Sequence, residues 1–290
     1  MLKLKVYAKI NLSLDITGKR EDGYHLLDSV FSSVSLFDVI TLNKRCDDKI
    51  TVEYFDKRSY ENDIAKKSAE MMVKRYGLKG ADIYIEKNIP EKSGLGGSSA
   101  DASGVIFGMA KMNGLEVEDI LDEDLAKVGS DVKFMLYGGT RRVSGVGEVI
   151  STEIYTKPLC FALLTDSEGV DTAKSYKTYS YGYNRFDNKS LVKKLIKGDN
   201  DGASEHFCNA LYDSSSRLNP LIDEKIALIE KVGGKAFMTG SGSGVLGYFS
   251  DEESTKTAIK EILTLNNGKF GVFYVNFINK GIEILDSDIV

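Results

Sequence analysis

The sequence has few of the residues that build metal centres or disulfide frameworks. Two histidines, His25 and His206, occur in 290 residues, so a three-histidine zinc site is excluded. The three cysteines, Cys46, Cys160 and Cys208, lie far apart and form no Cys-x-x-Cys pair. An odd, scattered set of cysteines favours a reducing compartment over a disulfide-bonded secreted protein.

The sequence also lacks a long apolar run and an excess of basic charge. No stretch approaches the roughly 18 uninterrupted apolar residues of a membrane helix, and the alternating start MLKLKVYAKINL has no signal-peptide core. With 38 basic against 43 acidic side chains, the net charge of −5 provides no overall basic field for nucleic acid. We therefore expect a soluble, cytoplasmic protein that binds neither membranes nor nucleic acid.

Length and composition predict a folded chain of two domains or one large one, at roughly one domain per 150 residues. Hydrophobic residues make up 42% of the chain, which argues against disorder. One of the three prolines, Pro158, coincides with a change of pattern. We therefore predict domains at residues 1–155 and 156–290.

Alternation of apolar and polar residues predicts strands near the amino terminus. Leu2, Leu4 and Val6 alternate with lysines, and residues 10–16 continue the alternation, which is the period-two pattern of half-buried strands. A turn is predicted at 18–23 (GKREDG). Asn62 is the expected N-cap of the first helix.

Strands and helices mix along the rest of the chain. Further strands are predicted at 39–42, 50–55, 81–86, 138–149, 160–164, 235–238, 245–249 and 270–277, and helices at 63–76, 100–112, 116–127, 172–179, 190–197, 221–232 and 252–263. Gly77 is expected to end the first helix. Antiparallel strands with helices beside them indicate an α+β class.

A glycine-rich segment, Gly94-Leu-Gly-Gly-Ser-Ser99, precedes the predicted helix at 100–112. Glycines let backbone N–H groups point into one concavity, and the amides of a helix N-terminus add positive potential, which together favour a phosphate. Ser98 or Ser99 could bond a phosphate oxygen or reach a magnesium ion. The alternative is a flexible turn with serine capping, and the segment matches neither the P-loop nor the Rossmann motif.

A second cluster, Gly240-Ser-Gly-Ser-Gly244, lies between two apolar strands. A simple hairpin loop explains it equally well. Two Gly/Ser clusters that both border regular structure are harder to dismiss than one, and a nucleoside triphosphate has enough oxygen atoms to need both.

Lys9 and Asp131 form a possible acid–base pair. A lone lysine on an alternating strand usually faces solvent, and an aspartate after Gly-Ser usually caps a helix. If the two meet, the ammonium would keep the carboxylate ionised and directed at a hydroxyl group. Asp22-Gly-Tyr-His25 and Tyr176 could likewise form an aromatic pocket, although ordinary packing is the default for tyrosines.

These elements occur in the order of the three motifs of the GHMP kinases, the family named for galactose, homoserine, mevalonate and phosphomevalonate kinases. Ala8–Leu12 (AKINL) resembles the first motif, Pro90–Asp101 (PEKSGLGGSSAD) the second and Met238–Gly244 (MTGSGSG) the third. The segments AKINLSLDITGKREDGYHLLDSVF and GSDVKFMLYGGTRRVSGVGE are most similar to the members that act on a cytidylyl alcohol.

The resemblance implies a fold, a reaction and a set of site residues. It implies an N-terminal α+β domain joined to a ferredoxin-like C-terminal domain, and transfer of a phosphoryl group from ATP, with Mg²⁺, to the 2-hydroxyl of a cytidylyl substrate in isoprenoid precursor synthesis. Asp131 would be the base and Lys9 would orient it. The implied nucleotide-binding residues are Asn62, Pro90, Glu91, Lys92, Ser93, Gly94, Leu95, Gly96, Gly97, Ser98, Ser99, Ala100, Gly240, Ser241, Gly242 and Ser243. The implied substrate-binding residues are Asn11, Tyr24, His25 and Tyr176.

The sequence departs from the family pattern at several positions. Lys92, Ser93 and Ser98 stand where the family loop usually has more glycine, so the serine that contacts the metal stays open. Lys133 replaces a common proline, Tyr176 often is phenylalanine, and residues 181–216 match poorly.

Two other functions remain possible alternatives from the sequence. One is a GHMP kinase for a small alcohol such as homoserine or mevalonate, and the other is a ligand sensor without turnover. The DGYH segment and Tyr176 favour a cytidylyl substrate, because a small alcohol needs no base pocket. The presence of both Lys9 and Asp131 speaks against a sensor. We expect a monomer or a weak homodimer.

Overall fold

A computed structural model describes residues 1–180 and 182–287. Tyr181, which begins the poorly matched segment, and residues 288–290, which end the second predicted domain, lie outside the described residues. The strands are β1 (Leu2–Lys19), β2 (His25–Lys44), β3 (Thr51–Tyr54), β4 (Ala81–Glu86), β5 (Thr140–Gly145), β6 (Val149–Ile150), β7 (Cys160–Thr165), β8 (Cys208–Asn209), β9 (Lys235–Met238), β10 (Val245–Tyr248), β11 (Gly271–Ile278) and β12 (Ile282–Ser287).

The helices lie mainly between these strands. They are α1 (Ile64–Tyr76), α2 (Gly97–Asn113), α3 (Asp122–Val128), α4 (Val132–Tyr137), α5 (Thr172–Lys177), α6 (Asn188–Lys197), α7 (Asn200–Ser204), α8 (Tyr212–Leu218), α9 (Leu221–Lys231) and α10 (Glu252–Asn266). A short 3₁₀ turn occupies Val117–Asp119. No helix among the described residues is both long and apolar enough to cross a bilayer.

The centre of the fold is an antiparallel pair of long strands. β1 and β2 pair from Leu2↔Leu42 to Lys19↔His25, and the ladder shifts register in three places. Hydrogen-bonded neighbours run in the order β12-β1-β2-β11-β7-β10-β9, and β2 also pairs with β4 and β5. The apolar alternation read from the first residues lies on one long strand, whose even-numbered side chains up to Leu12 join one buried cluster, while Leu14 and Ile16 join a second.

Helix α2 packs against this strand pair, which explains its content of small residues. A Cβ added at Gly104 would overlap Val6 Cγ1 and lie 2.7 Å from Ile40 Cδ1. Glycine there lets the helix approach the sheet closely. The prediction of a tightly packed helix after the glycine-rich segment is confirmed.

Several predicted boundaries need correction. The N-cap of α1 is Asp63, whose side chain accepts a hydrogen bond from the Lys66 amide at 3.1 Å, so the prediction that Asn62 caps this helix is wrong. Both residue types are good caps, and the one immediately before the helical dihedral angles is used. Gly77 ends the helix as predicted.

Two predicted elements are split in the structure. The predicted helix at 116–127 is a 3₁₀ turn followed by α3. The helix is interrupted because Ile120 leaves the helical conformation and its side chain is buried, with 5% exposed. The next amide, of Leu121, donates to the Tyr76 hydroxyl at 2.9 Å. The predicted strand at 138–149 is the hairpin β5–β6, because the chain turns where the Val146 amide donates to Glu148 Oε2 at 2.6 Å.

The two halves of the chain are joined through the sheet. β11 pairs with β2 at Phe277 and Ile278 and with β7 from Gly271 to Asn276. One buried cluster lies around β1, β2 and α2, and it also includes Phe161 and Val275 from the second half. The division into residues 1–155 and 156–290 stays a prediction.

Candidate active site

Lys9 and Asp131, which the sequence suggested as a pair, are in contact. Lys9 comes from β1, and Asp131 immediately precedes α4. Lys9 Nζ lies 3.4 Å from Asp131 Oδ2, and the Lys9 side chain is 6% exposed against 22% for Asp131. The ammonium also lies 4.6 Å from the centroid of the Phe31 ring. A nearly buried cation therefore faces a carboxylate that remains accessible.

Asn11 fixes the direction of the lysine. Its Oδ1 accepts a hydrogen bond from Lys9 Nζ at 2.7 Å, and its Nδ2 donates to Ser29 Oγ at 3.0 Å. The Asn11 amide donates to Thr239 Oγ1 at 2.8 Å. The amide side chain of Asn11 is fully buried, so the Lys9 ammonium has a fixed partner besides Asp131.

The first glycine-rich segment lies directly against Lys9. The Lys9 amide donates to the Leu95 carbonyl at 3.0 Å. Gly96 has φ +71°, and a Cβ there would overlap Met135 Cε and lie 3.2 Å from Lys9 Cγ. A residue with a side chain would therefore be strained at this position and would push the lysine away.

Helix α2 begins in the same segment with Gly96 as its N-cap and no side-chain capping bond. The serine capping that offered an alternative explanation is therefore not found at this helix. The first amides of an α-helix have no partner within the helix. The amides of Gly97, Ser98 and Ser99 can therefore donate hydrogen bonds to an anion such as a phosphate group.

The second Gly/Ser cluster docks onto the first. We call residues Thr239–Gly244 the Gly/Ser loop. The Gly244 amide donates to the Ser93 carbonyl at 3.0 Å, and the Ser243 amide donates to the Lys92 carbonyl at 3.1 Å. A Cβ at Gly240 would lie 2.6 Å from the carbonyl oxygen of Gly94. The loop is the turn of the β9–β10 hairpin, as the alternative explanation had it, and it also packs against the residues of the first glycine-rich segment.

A buried ion triad that the sequence did not reveal lies beside the first glycine-rich segment. Lys87 Nζ donates to Asp101 Oδ2 at 2.6 Å and also to Asp38. Asp38 Oδ1 accepts from the Ile89 amide at 2.8 Å, which holds the residues that lead into the segment. Burial raises the pKa of Asp101 despite the neighbouring ammonium. A Cβ at Gly97 would lie 3.4 Å from Lys87 Nζ, so this cation stands behind the helix start.

A second buried ion pair supports the loops from the other half of the chain. Lys225, which is fully buried, donates to Asp166 Oδ2, and Asp166 Oδ1 accepts from the Gly169 amide at 2.9 Å. Burial alone would raise the pKa of Asp166, but the bond and charge of Lys225, together with further hydrogen bonds such as that from the Gly169 amide, outweigh it and lower this pKa to about 2. A Cβ at Gly169 would overlap Lys92 Cβ, so the turn lies against the residues that lead into the first glycine-rich segment.

Asn62 lies at a cleft of about 380 Å³ beside α1 and α3. Three apolar and four polar or charged side chains line the cleft, a mixture that a small-molecule pocket can have. Its lining residues are Asn62, Ile64, Lys67, Met71, Asp124, Lys127 and Val128. Asn62 Oδ1 accepts from Lys67 Nζ at 3.3 Å, and its carboxamide remains exposed.

Aromatic side chains cluster where β2 begins, at the predicted aromatic pocket. The rings of His25 and Tyr176 stack with centroids 5.5 Å apart and an interplanar angle of 30°. Tyr179, which the sequence analysis missed, packs edge-on to His25 at 6.0 Å. Tyr24 is 65% exposed at the adjacent turn. The structure thus joins His25 and Tyr176 and leaves the Tyr24 ring on the surface.

Electrostatics keep both stacked rings neutral at neutral pH. Burial and the charge of Lys19 lower the pKa of His25. Burial and the negative charge of Asp131 raise the pKa of Tyr176. A neutral imidazole next to a protonated phenol can face an uncharged base without burying a charge.

The oxygen donors at the site fit a magnesium ion that arrives with a nucleotide. No group of three or more His, Cys, Asp or Glu residues that could hold a metal occurs within residues 1–180 and 182–287. Mg²⁺ in phosphoryl-transfer sites usually takes one or two protein oxygens and keeps phosphate and water ligands. A Cβ at Gly129 would lie 3.6 Å from Ser99 Oγ, so this hydroxyl faces the segment that leads to Asp131, whereas Ser98 is exposed.

Comparison with known proteins identifies the family of this chain. The model of the GHMP kinases N terminal domain matches residues 63–139. The chain is 35% identical over 290 residues to 4-diphosphocytidyl-2-C-methyl-D-erythritol kinase of Caldanaerobacter subterraneus subsp. tengcongensis, with 98% of this chain and 99% of the relative covered. The chain belongs to the GHMP kinase family. The relative of that name from Syntrophomonas wolfei is 36% identical to it over 90% of this chain and 94% of the relative.

Solved structures of GHMP kinases share the fold. A crystal structure of 4-(cytidine 5'-diphospho)-2C-methyl-D-erythritol kinase superimposes with a TM-score of 0.77 at 25% identity, covering 94% of this chain and 98% of that chain. Homoserine kinase from Cytophaga hutchinsonii gives a TM-score of 0.73 at 16% identity over 98% and 97% of the two chains. The mixed α+β fold of this GHMP kinase is thus the family fold over nearly its full length.

Proposed function

We propose that this GHMP kinase transfers the γ-phosphoryl group of ATP to the 2-hydroxyl of 4-diphosphocytidyl-2-C-methyl-D-erythritol, a step of non-mevalonate isoprenoid precursor synthesis. The observation that carries the proposal is the contact between Lys9 and Asp131, 3.4 Å apart beside a helix start with free amides. The two relatives at 35% and 36% identity carry the name of this activity, which supports the choice of substrate.

Phosphoryl transfer depends on positioning and charge stabilisation more than on covalent chemistry with the protein. Asp131 would take the proton of the attacking hydroxyl, because its carboxylate is accessible and held by Lys9. Lys9 would keep Asp131 ionised and offset negative charge on the moving phosphoryl group. Asn11, which holds the ammonium at 2.7 Å, would lie beside the reacting hydroxyl.

The nucleotide would lie along the first glycine-rich segment, with its adenine in the Asn62 cleft. The amides at the start of α2 would bind phosphate oxygens, and the Gly/Ser loop would close the opposite side. When bound with the nucleotide, Mg²⁺ would neutralise phosphate charge. Of the two serines, Ser99 is the better candidate ligand because it faces the Gly129–Asp131 segment.

The cytosine would lie in the aromatic pocket of His25 and Tyr176, with Tyr24 at its entrance. Tyr176 offers a flat face for stacking, and the neutral imidazole of His25 can exchange hydrogen bonds with the edge of the base. A small alcohol such as homoserine would leave this pocket empty, which favours the cytidylyl substrate over the small-alcohol alternative.

We also propose that the enzyme is a cytoplasmic monomer or weak homodimer. Its three cysteines, Cys46, Cys160 and Cys208, are free thiols, as a reducing compartment favours. Sedimentation of the purified protein at increasing concentration would measure its oligomeric state.

A coupled ADP-release assay tests the proposed function. Purified protein with ATP and Mg²⁺ should release ADP with the cytidylyl substrate, and far more slowly with homoserine or mevalonate. Faster turnover of either small alcohol would show that the substrate is wrong. Binding of ATP and the cytidylyl substrate without ADP release would instead indicate a sensor.

A further inference from the structure

Residues 182–216, most of the segment that resembles the family least, brace the strand that carries Lys9. The Asn184 amide donates to the Ile16 carbonyl at 3.0 Å, and the Ala210 amide donates to the Leu14 carbonyl at 2.8 Å. β8 adds a parallel pairing, Ser13↔Cys208 and Leu14↔Asn209. This part of the chain is therefore fixed to β1 at both of its ends.

Asn209 connects this brace to the Gly/Ser loop. Its Nδ2 donates to the Met238 carbonyl at 2.9 Å and to the Gly240 carbonyl at 2.8 Å. Its Oδ1 accepts from the Leu211 amide at 2.9 Å. The side chain is 9% exposed, and its one amide group thus holds two carbonyls that flank Thr239.

These three bonds require a carboxamide. A primary amide nitrogen carries two hydrogens for two carbonyl acceptors, and its oxygen accepts from a third group. An aspartate of the same shape would place a carboxylate against two carbonyl oxygens and lose both donated bonds. Buried polar groups left without partners lose their solvation without compensation, so the substitution should loosen the loop.

The loop held in this way touches the reacting centre. Thr239, between the two bound carbonyls, accepts the hydrogen bond of the Asn11 amide, and Asn11 holds Lys9. We propose that Asn209 is a positioning residue, which fixes the Gly/Ser loop relative to Lys9 and Asn11 and so sets the geometry of phosphoryl transfer. The inference rests on the proposed kinase activity.

A second tether reaches the loop from the same segment. Ser215 Oγ donates to the Ser241 carbonyl at 2.8 Å and bonds Ser175 Oγ at 2.6 Å. Ser175 belongs to α5, the helix that also carries Tyr176. The segment therefore links the Gly/Ser loop to the aromatic pocket as well as to β1.

The test compares Asn209→Asp with Asn266→Asp. Asn266 is a matched control because it is 6% exposed and clamps main-chain groups of Phe270, donating to its carbonyl and accepting from its amide at 2.8 Å each. Both variants should lose thermal stability. A displacement of about 1 Å in a reacting group can cost about 100-fold, so Asn209→Asp should lose kcat by roughly that factor with KM for ATP within about threefold. Asn266→Asp should keep kcat.

Equal kcat values for the two variants, each measured below its own unfolding temperature, would overturn the proposal. If Asn209→Asp does not fold, Ser215→Ala replaces it. Ser68→Ala is its control, because Ser68 is also buried and its Oγ donates to the Ile64 carbonyl at 2.8 Å within α1. Ser215→Ala should lower kcat about tenfold, and no loss relative to Ser68→Ala would also overturn the proposal. Wild-type protein that released no ADP would refute the kinase activity and not the tether. In that case the tether is tested by amide hydrogen exchange, which should be faster for residues 239–244 in Asn209→Asp than in the wild type.

Discussion

Replacing Asp131 by asparagine removes the proposed base and little else. The carboxamide keeps the size of the side chain, and its oxygen can occupy the position of Oδ2, 3.4 Å from Lys9 Nζ. Lys9 also keeps its bond to Asn11 Oδ1 at 2.7 Å. Because Asp131 is 22% exposed, the new amide remains in contact with solvent. We therefore expect Asp131→Asn to fold and to bind ATP with an affinity within a few-fold of the wild type.

The expected loss is in kcat. General-base catalysis typically contributes about 10²–10⁴-fold, which corresponds to ~2.7–5.4 kcal/mol of transition-state stabilisation. Lys9 and the amides at the start of α2 remain, so residual activity above background should persist. A loss of this size at saturating substrate, without a comparable change in KM, would fit a group that acts only in the transition state.

Coupled ADP release at saturating ATP and cytidylyl substrate measures kcat, and calorimetric titration measures the affinity for ATP. Asp122→Asn is a matched control, because Asp122 forms an exposed pair with Lys133 at 2.6 Å and should leave both values unchanged. Full activity of Asp131→Asn would refute the assignment of the base. A loss of ATP affinity above tenfold with unchanged kcat would show that Asp131 acts in nucleotide binding.

Three further substitutions test the pocket and the supporting ion pair. Tyr176→Ala should weaken binding of the cytidylyl substrate by about tenfold or more, since a stacked base contributes roughly 1–3 kcal/mol. ATP binding, measured in the same titrations, should stay unchanged. Equal losses of affinity for the two ligands would contradict the aromatic pocket. Because the pKa of His25 is lowered, the imidazole is neutral at pH 7 and takes up a proton only below the ordinary pKa of histidine. Affinity for the cytidylyl substrate should therefore fall as the pH falls from 7 to 5. The same pH profile in His25→Gln would contradict this role of His25. Asp166→Asn leaves buried Lys225 without its counter-charge and should lower the free energy of unfolding by about 3–5 kcal/mol. Lys269→Met, at the exposed pair with Glu224, should lower it by no more than ~1 kcal/mol. Similar denaturation midpoints for the two variants would refute the role of burial.

Local sequence patterns predicted the elements that depend on near neighbours. The strand at Lys235–Met238 has the predicted bounds, and α2 starts within three residues of the predicted start. Boundaries moved where a tertiary contact decided them. Ile120, for example, interrupts a predicted helix to reach the core.

Local sequence patterns did not predict which residues that are distant in the sequence come into contact. Alternation placed Lys9 on a strand, but its contact with Asp131 could be anticipated only from the order of the family motifs. Lys87 directly follows the predicted strand at 81–86, and it is buried against Asp38 and Asp101, which come from two other elements. Asn209 lies on a two-residue strand, which is too short to show a periodicity.

The pairing of β1 with β12 has a consequence for synthesis of the chain. Leu2 pairs with Ser287 and Val6 with Ile282, so the strand that carries Lys9 receives its outer neighbour from the opposite end of the sequence. At about 5–20 residues per second, a ribosome needs roughly 15–60 s between these two strands. Over that interval the edge of residues 2–6 opposite β2 has no strand partner, so it is open to pairing with another chain until β12 is made.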